Sequence, residues 1–311
     1  MSEHNSPFTL FTPPYRGFMP ITPDERLPTD PRVLRGTALI WSLGAGDDEG
    51  LLQRVAERPA GLPLMVVLPP TDVLRRMRKR VLAVAEDARP QSVLPHHPRL
   101  VPEEMARLLR RVPPDLPEEF VDYLQWRGLG LDQETRQILR RTMELSAEIS
   151  TLGGLTRAVY LSRRALGRRF QTRGLPVPSH WLQLCRLLRA ALRLQNSRDS
   201  LFEVAEACGY PDGFTLSNQM ERMVGVRPSV ARERLGWEWF VEHWLLKEWM
   251  EGGLRVRLRG LPEQMSVGAA QGSRRSAAEQ DGSRKSSTKA SAERGSPGTG
   301  AGSGQLSGAV S

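Results

Sequence analysis

The sequence predicts an α/β domain built on a small parallel sheet, followed by an all-α domain and a tail with no core of its own. Three observations carry this. Short apolar runs alternate with helix-compatible segments between residues 37 and 111, the rhythm of a parallel sheet covered on both faces. From Pro117 the apolar residues recur at helical spacing with only short breaks. From Ser266 onward nearly every residue is small, polar or charged, a composition that cannot offset the entropy of ordering the backbone.

The chain has 311 residues, room for two cores. Lys and Arg number 44 against 35 Asp and Glu, a net charge of +9. Such an excess suits a polyanionic partner such as nucleic acid, although it also aids solubility. The two cysteines, Cys185 and Cys208, fall in helical segments with apolar neighbours. They read as buried, reduced thiols and exclude a disulfide framework. No run of eighteen apolar residues exists, so no membrane partner is expected. The first thirty residues lack the basic start and apolar stretch of a secretory signal, and a cytoplasmic location follows.

Residues 1–32 hold seven prolines and read as an extended lead-in, which Phe8, Phe11, Tyr15 and Phe18 could pin to a folded surface. The α/β domain is expected over 33–115. Its first strand is the run TALIWSL at 37–43, and a helix over 47–58 follows, with Asp47, Asp48 and Glu49 favoured at its N-terminus. The second strand, LMVVL at 64–68, is closed by Pro69 and Pro70. Thr71 or Asp72 can cap a helix to about Ala88 that buries Val73, Leu74, Met77, Val81, Leu82 and Ala85. Ser92–Leu94 is a third strand candidate, and a helix spans Pro102–Arg111. The pattern resembles a reduced receiver domain of two-component regulators. No aspartate ends the second or third strand to accept phosphate, so that resemblance implies a pseudo-receiver acting as scaffold, dimeriser or ligand sensor.

Residues 116–148 form a helical connector, with Phe120, Tyr123, Leu124, Ile138, Leu139, Met143 and Leu145 at apolar positions. Beyond it lie two similar units. In TLGGLTRAVYLSRRALGRRFQT (151–172) a first helix breaks at Tyr160–Leu161 and Ser162 caps a second. On that second helix Ala165, Leu166 and Phe170 point inward, while Arg163, Arg164, Gly167, Arg168 and Gln171 share the other face. Arginines in a first turn oppose the helix dipole, so ligand contact explains them better than stability does. In SLFEVAEACGYPDGFTLSNQMERMV (200–224), Ser200 and Glu203 form a capping box and Gly209 supplies the turn. Phe214, Leu216, Met220 and Val224 are placed inward, and Thr215, Asn218, Gln219 and Arg222 outward. A helix over 179–195 joins the units. Helix, tight turn and helix with a basic outer face suit a DNA major groove.

The stretch 149–235 resembles the DNA-binding domain of AraC/XylS-type bacterial transcription regulators. The resemblance rests on EVAEACGY (203–210), DGFTLS (212–217), GVRPS (225–229), LSRRALGRRF (161–170) and RLLRAALRL (186–194). It implies two helix-turn-helix units joined by a central helix and able to enter successive major grooves of one duplex. The sequence departs from the family pattern at Tyr160, in place of a turn glycine, at Gly153–Gly154 inside a helix, in a longer segment at 174–178, and at Glu221, which repels phosphate. Across 141–195 ten arginines face two glutamates, whereas across 201–235 the balance is −1. The first unit is therefore expected to dominate phosphate contact.

Residues 237–250 carry four tryptophans and read as a packed helix or a dimer contact; 254–260 alternates like an edge strand. The region 236–262 is thus a Trp-rich helix and short strand, and 263–311 a disordered tail whose Arg274, Arg275, Arg284, Lys285, Lys289 and Arg294 outnumber the acids from Ser266 onward by three. His96–His97 lies between prolines without a metal-ligand companion. No phosphate loop, nucleophile elbow or catalytic carboxylate pair is present. The sequence predicts no catalytic residue, no metal and no cofactor. The expected function is sequence-specific DNA binding and transcription regulation at the bacterial nucleoid, with double-stranded DNA as partner and RNA polymerase and a second copy of the chain as further candidates. The alternatives are a degenerate module serving as a protein-interaction scaffold, or a nonspecific nucleic-acid binder.

Overall fold

A computed structural model describes residues 6–22, 25, 27, 36–44, 49–59, 62–77, 79–96, 100–234 and 236–259. Five strands form one sheet in the order β2-β1-β3-β4-β5. They are β1 (Phe8–Phe11), β2 (Phe18–Ile21), β3 (Ala38–Ser42), β4 (Leu64–Val67) and β5 (Ser92–Leu94). β3, β4 and β5 run parallel, as expected. β1 is antiparallel to both β2 and β3, with Phe8 opposite Ile21 on one side and Trp41 on the other. The sheet is therefore mixed, not wholly parallel, and the segment read as a lead-in supplies two of its strands. Proline density masked this because the prolines flank or border the strands. Pro7 precedes β1, Pro13 and Pro14 sit between the strands, and Pro20 lies on the edge strand, where a missing N–H is tolerated. Without β1, β3 would present an open edge.

Alternation along the strands sends side chains to two faces. Phe8, Leu10, Leu39, Trp41, Leu64 and Val66 pack under helices α1 (Glu49–Ala56) and α3 (Lys79–Asp87). Phe11, Ala38, Ile40, Met65 and Val67 face α4 (Pro102–Leu109) through Met105, Ala106 and Leu109. The helix expected over 71–88 is two pieces, a single turn α2 (Thr71–Leu74) and α3. Neither Thr71 nor Asp72 caps α2; Pro70 occupies the cap position with no side-chain bond. Val81 and Ala85 are buried as expected, but Leu82 is 40% exposed. The acidic pair Asp47–Asp48, His97 and the tail 263–311 lie outside the described residues.

The helical part has one core. It joins α5 (Leu116–Trp126) and α6 (Gln133–Leu145) to α7 (Leu152–Ala158), α8 (Arg163–Thr172), α9 (Pro178–Asn196), α10 (Leu201–Ala207), α11 (Gly213–Val224), α12 (Pro228–Ala231) and α13 (Glu238–Met250). Trp181 of α9 lies at its centre, edge-on to Trp244 at 4.6 Å and flanked by Phe120 and Phe170. Trp237, Trp239 and Trp244 are buried within the chain, so α13 packs inward and these three rings offer nothing to a dimer partner. The edge strand expected at 254–260 does not form over its described residues, 254–259. Instead Leu254 and Leu258 are buried, and Arg255 and Arg259 donate their amides to the carbonyls of Gly174 and Arg127, both at 2.8 Å. Those two residues belong to loops, so no strand edge is available to pair with. Both cysteines are free, buried thiols, and burial raises the pKa of each.

α13 is held to α5 within the helical core by a buried ion pair. Arg127, after α5, makes a two-pronged ion pair with Glu242 at 2.5 and 2.9 Å, and Tyr123 donates to the same carboxylate at 2.7 Å. The groups are almost fully buried, so the pair holds only while both members and their hydrogen bonds are present. From the sheet side, Arg110 donates to the carbonyls of Glu233 and Arg234. No helix among the described residues is long and apolar enough to cross a membrane.

Candidate nucleic-acid interface

The two helix pairs are built alike. Thr151 caps α7 by accepting from the Gly154 amide at 3.1 Å, and Ser162 caps α8 through the Ala165 amide at 3.1 Å. In the second pair Ser200 and Glu203 close a capping box on α10, and Asp212 caps α11 through Thr215. Between the helices of each pair one residue turns left-handed: Tyr160 at φ +53° and Gly209 at φ +70°. The amides that follow return to the preceding helix in the same way, Leu161 to Thr156 and Tyr210 to Ala205. Leu166 and Phe170 in α8, and Leu216 and Met220 in α11, fill equivalent core positions.

Outward residues largely follow the sequence expectation. Arg163, Arg164, Arg168 and Gln171 are exposed on α8, with Gly167 half-buried between them. Thr215, Asn218 and Arg222 are exposed on α11; Gln219 is half-buried and its amide contacts the Met223 sulfur at 3.4 Å. Phe214, placed inward by its helical spacing, is instead 75% exposed. It sits in the first turn of α11, before the helix has turned toward the core at Leu216. Tyr160 at 94% and Phe202 at 61% are likewise open. Helical periodicity misplaced Phe214 and gave no signal for Tyr160 and Phe202, since turn and first-turn residues escape it.

The structure revises the charge balance of the first unit. Arg169 and Arg173 pair with Asp132 and Arg169 also with Glu134, at the start of α6. Thr135 and Arg173 hold the Asp132 carboxyl down to about 2. Arg141 pairs with Glu144 and Arg193 with Asp199. Arg186 and Arg189 lie inside the bundle, capping the carbonyls that end α10 and α6. Among the ten arginines of 141–195, Arg157, Arg163, Arg164 and Arg168 have no ion pair with a described residue and stand exposed. In the second unit Arg227 approaches Glu221 at 3.7 Å and Arg232 caps carbonyls at the end of α9. Arg222 is the one exposed arginine of the α11 span 213–224.

The paired glycines of α7 have local reasons. A Cβ at Gly153 would stand 2.9 Å from the Arg163 guanidinium, and one at Gly154 would stand 2.8 Å from Ile149 Cγ2. Each glycine accepts a loss of roughly 1 kcal/mol in helix propensity in exchange for close approach.

The repeated cap, left-handed turn and exposed second helix coincide with a family match. Residues 155–234 match the family model described as a helix-turn-helix domain. These residues form an AraC-type helix-turn-helix domain. The chain is 31% identical to the transcriptional activator RhaS of Pectobacterium atrosepticum over 35% of its own length and 40% of the relative's. It is 35% identical to the raffinose operon regulatory protein RafR of Pediococcus pentosaceus over 28% of its length and 31% of the relative's. The chain thus spans well under half of each curated relative it matches. A solved structure of the AdpA DNA-binding domain with target DNA is 30% identical over 31% of this chain and 86% of that one, with a TM-score of 0.29. Within the AraC-type domain, α9 separates the two helix pairs.

Proposed function

We propose that this protein binds double-stranded DNA in a sequence-specific way and regulates transcription. The observation that carries this is the exposed face of α8, where Arg163, Arg164 and Arg168 stand without carboxylate partners among the described residues. Unpaired guanidiniums on an exposed second helix are what phosphates and guanine edges recruit. Arg164 and Arg168, one turn apart, read bases or phosphates, Arg163 anchors on phosphate, and Gln171 extends the face. α11 adds base contacts through Thr215 and Asn218, with Arg222 toward the backbone. The 19-residue α9 spans roughly 28 Å at 1.5 Å per residue, a fitting spacer for helices that enter neighbouring grooves. The protein works at the bacterial nucleoid, with RNA polymerase as the partner that transduces binding. The α/β part serves as a scaffold or sensor of reduced receiver type.

Selection from a random duplex pool tests this reading. A split motif with parts about one helical turn apart is expected; no enrichment overturns it. A specific observation favours a second reading, a protein-interaction scaffold. Phe202 and Phe214 are exposed, and Glu221 lies beside the α11 face. Under that reading Arg164→Ala/Arg168→Ala leaves the salt dependence of DNA binding unchanged. Under ours the slope of log K against log salt falls by about two.

A further inference from the structure

A cavity of about 750 Å³ lies where the sheet meets the helical bundle. α3, β4 and β5 form one wall, and α5 with the start of α13 forms the other. Its volume is in the range of small-molecule sites, which favour such junctions between packed units. The lining is mostly apolar and aromatic, with Trp126, Trp237 and Trp239 among its residues.

Two recessed charged groups in this lining have no ion pair among the described residues, whereas Glu86 and Arg111, also on the lining, are exposed. Glu238, in the first turn of α13, accepts a hydrogen bond from the Gln91 amide at 2.7 Å. No guanidinium or ammonium of the described residues comes within salt-bridge distance of its carboxylate. Arg58 is 5% exposed; its Nε donates to the Leu62 carbonyl at 3.2 Å and its guanidinium lies over the Trp126 ring at 5.5 Å. No carboxylate of the described residues pairs with it. The other recessed charges of the wall are matched, Glu242 by Arg127 and Arg89 by Glu119. A recessed charge without a counter-charge is costly, and here one of each sign lines the same cavity.

We propose that this cavity binds a small zwitterion, an amino acid or short peptide, whose ammonium group pairs with Glu238 and whose carboxylate pairs with Arg58. Its apolar body lies against the aliphatic part of the lining, which includes Leu82 and Val93. The unpaired acid and the unpaired base together select for both charges: a simple amine leaves Arg58 unmatched, and a simple acid leaves Glu238 unmatched. Because the site joins β5 to α13, its occupant bridges the sheet and the helical core. This site does not depend on DNA binding.

Calorimetric titration of the full chain with L-phenylalanine and with glycyl-L-phenylalanine tests the proposal. At least one is expected to saturate at or below about 1 mM. L-Phenylalaninamide and 3-phenylpropionate, each lacking one charge, bind roughly tenfold more weakly. Glu238→Gln keeps shape and the Gln91 contact while weakening the zwitterion roughly tenfold. Val93→Phe, at a 54% exposed position of the lining, narrows the mouth and abolishes binding without touching the buried core; unchanged far-ultraviolet dichroism shows that both variants fold. Failure of both zwitterions to bind overturns the proposal. So does equal binding by folded Glu238→Gln, or equal binding by the singly charged analogues.

Discussion

The Arg163 guanidinium rests against the bare backbone of Gly153: a Cβ there would lie 2.9 Å from its Nη2. A helix-weakening residue in α7 thereby makes room for a cation on the face of α8. Gly153→Ala is expected to raise stability by up to about 1 kcal/mol, since the obstructing atom is the mobile end of a long side chain. The same change displaces Arg163 and weakens DNA binding. Thermal melts and duplex titration at one salt concentration check the two effects, and improved stability with unchanged affinity would remove Arg163 from the interface.

The two turns make a paired prediction. Tyr160 holds φ +53° with a bulky side chain, whereas Gly209 holds φ +70° with none. Tyr160→Gly is expected to relieve about 1 kcal/mol of left-handed strain. Gly209→Ala goes the other way, because it adds that strain and puts a Cβ 3.3 Å from the Ala147 carbonyl oxygen. Denaturant midpoints at constant m-value report both.

Arg169 and Arg173 are expected to act on stability more than on DNA. Both are held by Asp132 at the N-terminus of α6. Asp132→Asn should leave the salt slope of DNA binding within about 0.5 of wild type while loosening the attachment of α8 to α6. Because the folded Asp132 carboxyl is depressed to about 2, its contribution is present above the ordinary carboxylate range and fades as pH falls toward 2. Melts of wild type and Asp132→Asn should therefore converge at low pH.

Glu238 gives the opposite sign. Burial, chiefly, lifts its carboxyl to about 7, with Glu119 and Glu242 adding to the lift and Arg89 opposing it; Gln91, which faces it, is neutral. The folded state binds this proton more tightly than the unfolded chain does. Its penalty is thus absent below the ordinary carboxylate range, grows through neutrality, and is complete above about 7. Glu238→Gln should match wild type near pH 4 and exceed it at pH 8 by about 1–3 kcal/mol. Urea titrations at both pH values measure this, and a constant difference would show that Glu238 does not titrate in between.

Breaking the buried pair between α5 and α13 should cost more. Glu242→Gln leaves the buried Arg127 guanidinium without its charge partner, an expected loss of about 3–5 kcal/mol. Denaturant unfolding at constant m-value measures the loss, and a change under about 1 kcal/mol would show that the pair does not hold α13 to α5.

Much of the architecture was legible in the sequence because it is local. The caps at Ser162 and Ser200, the turn at Gly209 and the apolar run of β4 each follow from a few adjacent residues whose backbone needs those side chains. The same locality exposed Arg163, Arg164 and Arg168, because their positions relative to Leu166 and Phe170 depend only on helical geometry. The hairpin of β1 and β2 was hidden, since its pairing with β3 joins residues some thirty positions apart across proline-rich chain. Tertiary structure alone decided which arginines are free. Asp132, Glu134 and the carbonyl ends of α6 and α10 claim four of them from other elements. A count along the chain cannot register this, because a charge is spent or available according to what packs against it in space. The same reason hid the unmatched Glu238 and Arg58, which come to line one cavity only when the sheet closes on the helices.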